Sequence, residues 1–275
     1  MKTRECLYII CIGLILALSS CGRDRSVGTN TLAQADSLIA EGQFATALEL
    51  LEQLRTNPKA TSTEVRQAIE AKGKVRLREA EAELLRLDSV LRELEGQIRA
   101  SLNSFVVTGQ GHNPNYCHKR LLPEDLNTQP HLRAVVDSLG ELQLTSVYVG
   151  SQVIGHSALR LSTKARGDEA TTLALPHDAA LNYRYFDSER HWELVTYTKE
   201  HLDPLLPILR ELPEWGLRID LLASGRSVAG WVGDTGTIAA LRETMNLREL
   251  LLERQRLRQV QTKYAQRFVR LEQKG

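Results

Sequence analysis

Hydrophobic residues repeat with two different periods along this chain, and the change of period limits the folds that the chain can adopt. From Leu77 to Ile98, apolar residues recur in alternating steps of three and four, a heptad pattern that predicts a long helix with one apolar seam. A similar pattern runs from Leu250 to Leu271. Between the two, short segments alternate polar and apolar residues in the manner of strands. Two long helices are therefore expected to flank a strand-rich region.

The strand-like segments between the helices predict an antiparallel sheet. The clearest of them are Gln143–Val149 and Trp192–Tyr197, and a final hairpin is expected around Ala223–Arg226. Short strands separated by turn residues are typical of a β sandwich or roll. We therefore predict an α+β fold in which a β-rich domain, residues 106–234, is inserted between the two helices.

Opposite charges on the two long helices, predicted at residues 63–104 and 236–274, favour pairing of the helices with each other. Between Leu77 and Arg99 there are four basic and six acidic residues, whereas Met245–Gly275 carries eight basic and three acidic residues. Because like charges would meet if each helix paired with its own copy, we expect an antiparallel coiled coil within one molecule. Pairing between copies is the alternative, and additional pairing of that kind is compatible with the first.

A shorter pair of helices is predicted at residues 31–58. The positions of Leu38, Gly42, Phe44 and Ala47 follow the pattern of one tetratricopeptide unit, and the segment resembles such a unit. No convincing second copy follows in the sequence, and stacked repeats need neighbours to bury their apolar faces. We therefore expect a single helical hairpin that packs on the helix after it.

The first twenty residues have the composition of an export signal that ends at a cysteine. Lys2 and Arg4 precede the apolar run Leu7–Leu18, which is too short to cross a bilayer as a helix. The sequence Leu18-Ser19-Ser20-Cys21 follows, and it resembles the lipobox of bacterial lipoproteins. That resemblance implies cleavage after residue 20, attachment of a diacylglycerol to the Cys21 thiol, and acylation of the new amino terminus by a fatty acid such as palmitate.

Lipidation would place residues 21–30 at a membrane as an anchor and linker. Two or three acyl chains give stable anchoring. Gly22 stands where an aspartate marks inner-membrane retention in lipoproteins, and residues 23–25 do not form the acidic cluster of surface-exported ones. The resemblance therefore implies the outer membrane, with the chain on the periplasmic side. An ordinary cleavable signal, residues 1–20, with a chance cysteine after it is the alternative.

The order of the predicted segments also resembles that of envelope lipoproteins from Bacteroidota-type bacteria. In those proteins a tetratricopeptide-like helical start leads through a long helix to a strand-rich part. The resemblance implies a location in the cell envelope and carries no known activity.

The charge and the cysteine content of the chain argue against a nucleic-acid-binding protein and against a protein held together by a disulfide within its own chain. The whole chain has 35 basic and 34 acidic residues, and loss of residues 1–20 leaves 33 of each. A neutral chain has no electrostatic attraction for nucleic acid. Only Cys21 and Cys117 remain after the signal is removed, so lipidation of Cys21 leaves Cys117 without a disulfide partner in its own chain.

The residues that most suggest a metal site lie between Gly109 and His118. His112, Cys117 and His118 are candidate ligands for zinc or copper. Their spacing does not match the usual structural zinc patterns, and the side chains of adjacent residues point in different directions. We therefore expect a turn-rich connection here, and we predict no metal or other cofactor.

No arrangement of catalytic residues stands out in the sequence. Gly155-His156-Ser157 lacks the nucleophile-elbow pattern Gly-x-Ser-x-Gly, and three tryptophans are either an aromatic platform or core residues. We therefore predict a non-catalytic interaction or spacer protein that presents its β domain on a coiled-coil stalk to an envelope protein or a glycan. The alternative is an envelope hydrolase of glycan or peptide, which needs a His–Ser pair or a cluster of carboxylates in one cleft.

Overall fold

The computed structural model of the chain describes residues 27–108, 113–122, 129–164, 166–178, 180–187 and 189–273. These residues form helices and antiparallel sheets, which confirms the predicted α+β class. They belong to two compact units, residues 27–86 with 261–273 and residues 87–260. Within these ranges, no helix combines the length and the apolar character that a membrane span requires. The predicted signal peptide and Cys21 lie outside the described residues.

Three helices provide most of the first unit. They are α1 (Val27–Ala40), α2 (Phe44–Thr56) and α3 (Ser62–Ser101), the last of which continues into the second unit. Gly42 turns the chain between α1 and α2 with a φ of 75°, a value that favours glycine. All three helices contribute to one core. Its buried residues are Ala35, Ala47, Leu51, Leu54, Ala68 and Val75. The hairpin of α1 and α2 thus packs on α3.

The start of α3 is fixed by reciprocal hydrogen bonds between Thr61 and Glu64. The Glu64 backbone N–H donates to the Thr61 hydroxyl at 3.3 Å, and the Thr61 N–H donates to the Glu64 carboxylate at 2.8 Å, an arrangement called a capping box. The same carboxylate accepts from the Gly28 N–H at 2.9 Å. A Cβ atom on Gly28 would lie 2.2 Å from a carboxylate oxygen, so this contact between α1 and α3 requires glycine.

The described residues of the second unit form two antiparallel sheets. The first sheet has the strand order β1-β2-β3-β4-β8-β7, and the second has the order β10-β9-β5-β6. The strands are β1 (Phe105–Thr108), β2 (Asn115–His118), β3 (His131–Asp137), β4 (Leu142–Gly150), β5 (Ala158–Thr163), β6 (Glu169–Thr171), β7 (Asn182–Asp187), β8 (Arg190–Thr198), β9 (Leu217–Ala223) and β10 (Arg226–Val232). A short helix, α4 (Leu206–Arg210), precedes β9 in the chain, and a long helix, α5 (Thr235–Glu272), follows β10.

Alternation along the strands directs one face of the second sheet into the core. Leu159 on β5 pairs with Leu221 on β9, and Leu161 pairs with Ile219. All four side chains are fully buried. The hairpin that joins β9 to β10 turns at Ser224 and Gly225, which both have positive φ values, as expected of a tight two-residue turn.

Helices α3 and α5 pair in an antiparallel manner, as their opposite charges predicted. In the first unit, Arg267 donates to the Glu79 carboxylate at 2.8 Å, and in the second unit Arg258 donates to the Glu95 carboxylate at 2.8 Å. Ion pairs that are largely accessible to solvent, such as these, stabilise a fold by only about 0–1 kcal/mol each, so apolar burial dominates. In the second unit, the buried apolar residues of α3 and α5 include Leu87, Leu91, Leu94, Ile98, Leu247, Leu251 and Leu257.

Two leucines of α3 provide a matched test of this apolar seam. Leu87 is fully buried, so Leu87→Ala should lower the free energy of unfolding by about 2–5 kcal/mol. Leu85 is 65% exposed, and Leu85→Ala should change that free energy by less than about 0.5 kcal/mol. Urea unfolding followed by circular dichroism measures both variants. Equal losses of unfolding free energy in Leu87→Ala and Leu85→Ala would contradict the assignment of Leu87 to the apolar seam.

Candidate functional site

Two of the three candidate metal ligands, Cys117 and His118, belong to the part of the chain that the structure describes. The third, His112, lies outside it, as does the predicted lipid attachment residue Cys21. Cys117 and His118 are neighbours on β2, so their side chains point to opposite faces of the sheet. Among the described residues, no group of three or more His, Cys, Asp and Glu side chains is arranged to hold a metal ion.

Cys117 is part of the core, and His118 makes hydrogen bonds within the fold. Cys117 is fully buried, and burial raises the pKa of its thiol to about 11. His118 contacts α5 through Nε2, which is 3.2 Å from the Glu243 carboxylate, while its Nδ1 accepts from the Arg120 N–H at 3.1 Å. Because Nδ1 accepts, Nε2 carries the ring proton and donates to Glu243. His118 therefore connects β2 to α5.

A row of buried polar side chains connects the central strands of the first sheet. Nδ1 of His156 lies 2.9 Å from a carboxylate oxygen of Glu193 on β8, and Nε2 lies 2.9 Å from Oγ of Ser146 on β4. His156 itself belongs to the segment between β4 and β5. None of the three residues has solvent-exposed surface. We call this set the Ser146–His156–Glu193 relay.

The Glu193 carboxylate also holds the backbone of the segment that connects β4 to β5. Its Oε1 accepts from the N–H of Ile154 at 2.6 Å and from the N–H of Gly155 at 2.9 Å, and its Oε2 accepts from the N–H of His156 at 3.0 Å. The guanidinium of Arg184 on β7 approaches Oε2 to 3.8 Å. Three backbone donors and one ring donor thus replace the water that a buried carboxylate loses.

Hydrogen bonding, and not burial, decides the charge of Glu193. Burial raises its pKa, because the charged form loses hydration. The hydrogen bonds from the His156 ring and from the N–H groups of Gly155, Ile154 and His156 outweigh burial and lower the pKa to about 2. Glu193 is therefore ionised at neutral pH. Since a carboxylate only accepts, the proton between Glu193 and His156 is on Nδ1.

The relay has the hydrogen-bond order of a Ser–His–acid triad, in which the histidine takes the serine proton. Its surroundings differ from those of an active nucleophile. Ser146 lies in the middle of β4 and not on a turn, and its hydroxyl is 3.5 Å from the buried Tyr197 hydroxyl. A substrate could reach Ser146 only if the residues that cover it moved away. In the observed arrangement the relay connects β4, β8 and the segment before β5.

The other polar residues near this region are divided between the two faces of the first sheet. In β7, Arg184 shares a face with Glu193, its cross-strand partner. Tyr183 and Tyr185 lie on the opposite face, where Tyr185 stacks on Trp192 with ring centroids 5.6 Å apart. The two tyrosines therefore do not belong to the relay.

The tryptophans of the suggested aromatic platform lie in different surroundings. Trp192 packs with Val147, Val149 and Leu194 in a small cluster on the first sheet. Trp215 is 61% exposed, while Trp231 lies on β10 beside a cleft. Neither Trp192 nor Trp215 lines that cleft.

A cleft of about 610 Å³ lies beside β10, the start of α5 and the start of β3. Its volume falls within the range of about 300–1,000 Å³ that is usual for ligand sites. Asp234 lies at one end, where its carboxylate accepts from the Thr237 N–H at 2.7 Å and caps α5. Arg120 approaches the same carboxylate to 3.4 Å. The backbone hydrogen bond from Thr237 lowers the pKa of Asp234 more than burial raises it, and the charge of Arg120 lowers it further.

Sequence reasoning missed both the relay and the cleft. Ser146, His156 and Glu193 belong to separate segments and form no local motif. One signal was available, since Glu193 alternates with Val195 and Tyr197 along a predicted strand. A strand that directs those apolar side chains inward also directs the carboxylate inward, and a buried carboxylate requires hydrogen-bond partners.

No protein-family model, curated protein or solved structure matches the chain. Three features of the chain itself bear on its function. They are the lipobox-like sequence at Leu18–Cys21, the buried relay and the cleft beside β10.

Replacing Glu193 by glutamine should destabilise the fold in a pH-dependent manner. The pKa of Glu193 falls from an ordinary value of 4.5 to about 2 on folding. The carboxylate therefore stabilises the fold fully above pH 4.5, and this contribution is lost as the pH falls through about 2. Glu193→Gln should lower the free energy of unfolding by about 3 kcal/mol at neutral pH, and the deficit should shrink in acid.

Urea unfolding across a pH series measures this difference. Glu200→Gln is the matched control, because Glu200 is an exposed residue near the end of β8 and its loss should change stability by less than about 0.5 kcal/mol. A Glu193→Gln deficit that stayed constant, or grew, as the pH was lowered would show that the charge of Glu193 does not stabilise the fold.

Proposed function

We propose that this chain is a lipid-anchored protein of the bacterial cell envelope that binds a partner and catalyses no reaction. The sequence Leu18-Ser19-Ser20-Cys21 carries the proposal, because lipidation of Cys21 would fix the mature chain to a membrane. Gly22 in place of an aspartate favours the outer membrane, with the chain on the periplasmic side. The balanced charge of the mature chain favours an envelope protein or a glycan, and not nucleic acid, as the partner.

The β-rich second unit is the binding part in this proposal. It has a cleft of a size suited to a ligand or a peptide, and the relay fixes the segment that connects its two sheets. In chain order, the anchor precedes α3, and α3 precedes the strands. We assign the paired helices α3 and α5 the role of a spacer that presents the strands to the partner.

An envelope hydrolase of glycan or peptide is the second candidate, and the relay is the observation that favours it. His156 is 2.9 Å from both the Ser146 hydroxyl and the Glu193 carboxylate, the contacts that general-base activation of a serine needs. The complete burial of Ser146 opposes this role, since a nucleophile must touch its substrate. A buried polar network that orients the chain accounts for the same hydrogen bonds without chemistry.

Replacing Cys21 by serine should abolish lipid attachment. The hydroxyl of serine is a far weaker nucleophile than a thiol, so Cys21→Ser should incorporate no labelled palmitate and should not be cleaved after residue 20. Metabolic labelling and mass spectrometry of the N-terminus in the producing bacterium measure both effects. Cys6→Ser, within the signal, is the control that should be lipidated normally. A Cys21→Ser protein that was processed and labelled like the unchanged protein would refute the anchor.

A fluorophosphonate probe, which reacts with activated serines, separates the two candidate functions. The folded protein should not react with the probe, because Ser146 has no exposed surface. Gel fluorescence and peptide mapping measure the labelling. If the hydrolase reading holds instead, Ser146 is labelled at neutral pH, and both Ser146→Ala and His156→Ala remove the label. A denatured sample controls for reaction at other residues.

A further inference from the structure

The outer edge of β10 forms part of the wall of the cleft. β10 pairs only with β9 among the described strands. The Gly233 N–H donates to the Leu217 carbonyl at 2.8 Å, and the hydrogen bonds of an antiparallel ladder use alternate residues. The peptide groups of Gly230 and Val232 therefore point away from β9. Among the described residues, the N–H and C=O groups of Gly230 and Val232 make no backbone hydrogen bond.

Half of this edge lacks the features that usually block pairing with another strand. Proteins protect free edges with charged residues, prolines or bulges. β10 has Arg226 at its start and an irregular register between Ser227 and Ala229. From Ala229 to Gly233 the sequence is Ala-Gly-Trp-Val-Gly, without charge or proline. The unprotected half is the half that lines the cleft.

The walls of the cleft next to this edge include apolar side chains, beside the polar residues Gln129, His131 and Thr237. Leu121 and Leu132 are buried residues of the lining, and Trp231 adds a half-buried indole. The charged groups at the start of α5, Arg120 and Asp234, lie 3.4 Å apart and pair with each other. Because these opposite charges offset one another, this end of the cleft has no net charge with which to attract an ion. An uncharged, apolar group fits this chemistry.

We propose that an extended segment of a partner protein binds β10 by strand addition and places an apolar side chain in the cleft. The edge from residue 229 to 233 spans about 13 Å at roughly 3.3 Å per residue, enough for about four residues of the partner. Main-chain hydrogen bonds to Gly230 and Val232 supply affinity, and the cleft supplies specificity. The inference rests on the proposed partner-binding function and specifies the chemistry of the partner.

Two substitutions at Val232 separate strand addition from side-chain binding. Val232→Pro removes the outward N–H, which the fold itself does not use, and proline is tolerated on strand edges for that reason. Val232→Ala shortens the side chain and keeps the N–H. Random linear peptides displayed on phage are selected on the full-length protein in detergent, and the enriched peptides are then titrated against both variants.

The selected peptides should carry apolar residues at alternate positions. Val232→Pro should weaken their binding at least about tenfold, because the hydrogen bond to the N–H is lost and the ring blocks the edge. Val232→Ala should bind the peptides with a dissociation constant within about threefold of that of the unchanged protein. Circular dichroism should show that both variants are folded. If Val232→Pro does not fold, amide hydrogen exchange in the unchanged protein tests strand addition in its place. Peptide binding by strand addition must slow exchange of the Gly230 and Val232 amides.

Several outcomes would overturn strand addition. They are the failure to enrich any peptide, equal binding by Val232→Pro, and unaltered amide exchange at the edge. Self-association of the unchanged protein in sedimentation, abolished by Val232→Pro, would instead assign the edge to a second copy. A protein that is lipidated at Cys21 but selects no peptide refutes strand addition alone. Peptide binding by a protein that is never lipidated refutes the anchor alone.

Discussion

The ionised carboxylate of Glu193 connects the two sheets of the second unit. It accepts from three successive N–H groups of the segment that leaves β4 in the first sheet and enters β5 in the second. Asn182 adds hydrogen bonds to the carbonyls of His156 and Leu175. β5 pairs with β9, and β9 pairs with β10. The carboxylate thus holds the segment that enters the strand series β5, β9 and β10, whose outer edge lines the cleft.

The same hydrogen bonds illustrate how a triad arrangement can be structural. A buried carboxylate destabilises a fold unless donors replace its lost hydration, and a histidine is a suitable donor because its second nitrogen can bond to another polar group. Once His156 donates to Glu193, its Nε2 needs a partner, and Ser146 provides one. Satisfying a buried charge thus produces the order Ser–His–Glu without any requirement for catalysis. A catalytic triad differs from a structural one in that a substrate can reach its serine.

The sequence predicted those parts of the structure that follow from local periodicity. Heptads predicted the long helices, alternation predicted the antiparallel strands, and opposite charges predicted the antiparallel pairing of α3 and α5. The relay was not predicted, because its three residues meet only after β4 and β8 pair. The cleft was not predicted either, since the edge of β10, Arg120 and Leu132 come together only through the tertiary fold. Single residues with unusual surroundings, such as Glu193 between apolar neighbours, were the available signals.

The burial of Cys117 has a consequence for how the protein matures. Its thiol, with a pKa raised to about 11 by burial, is almost entirely protonated near neutral pH, and a protonated thiol is a poor nucleophile. With Cys21 occupied by lipid, as proposed, the mature chain has no second free thiol. The folded state then needs no disulfide within the chain, and its one free thiol is covered by the fold.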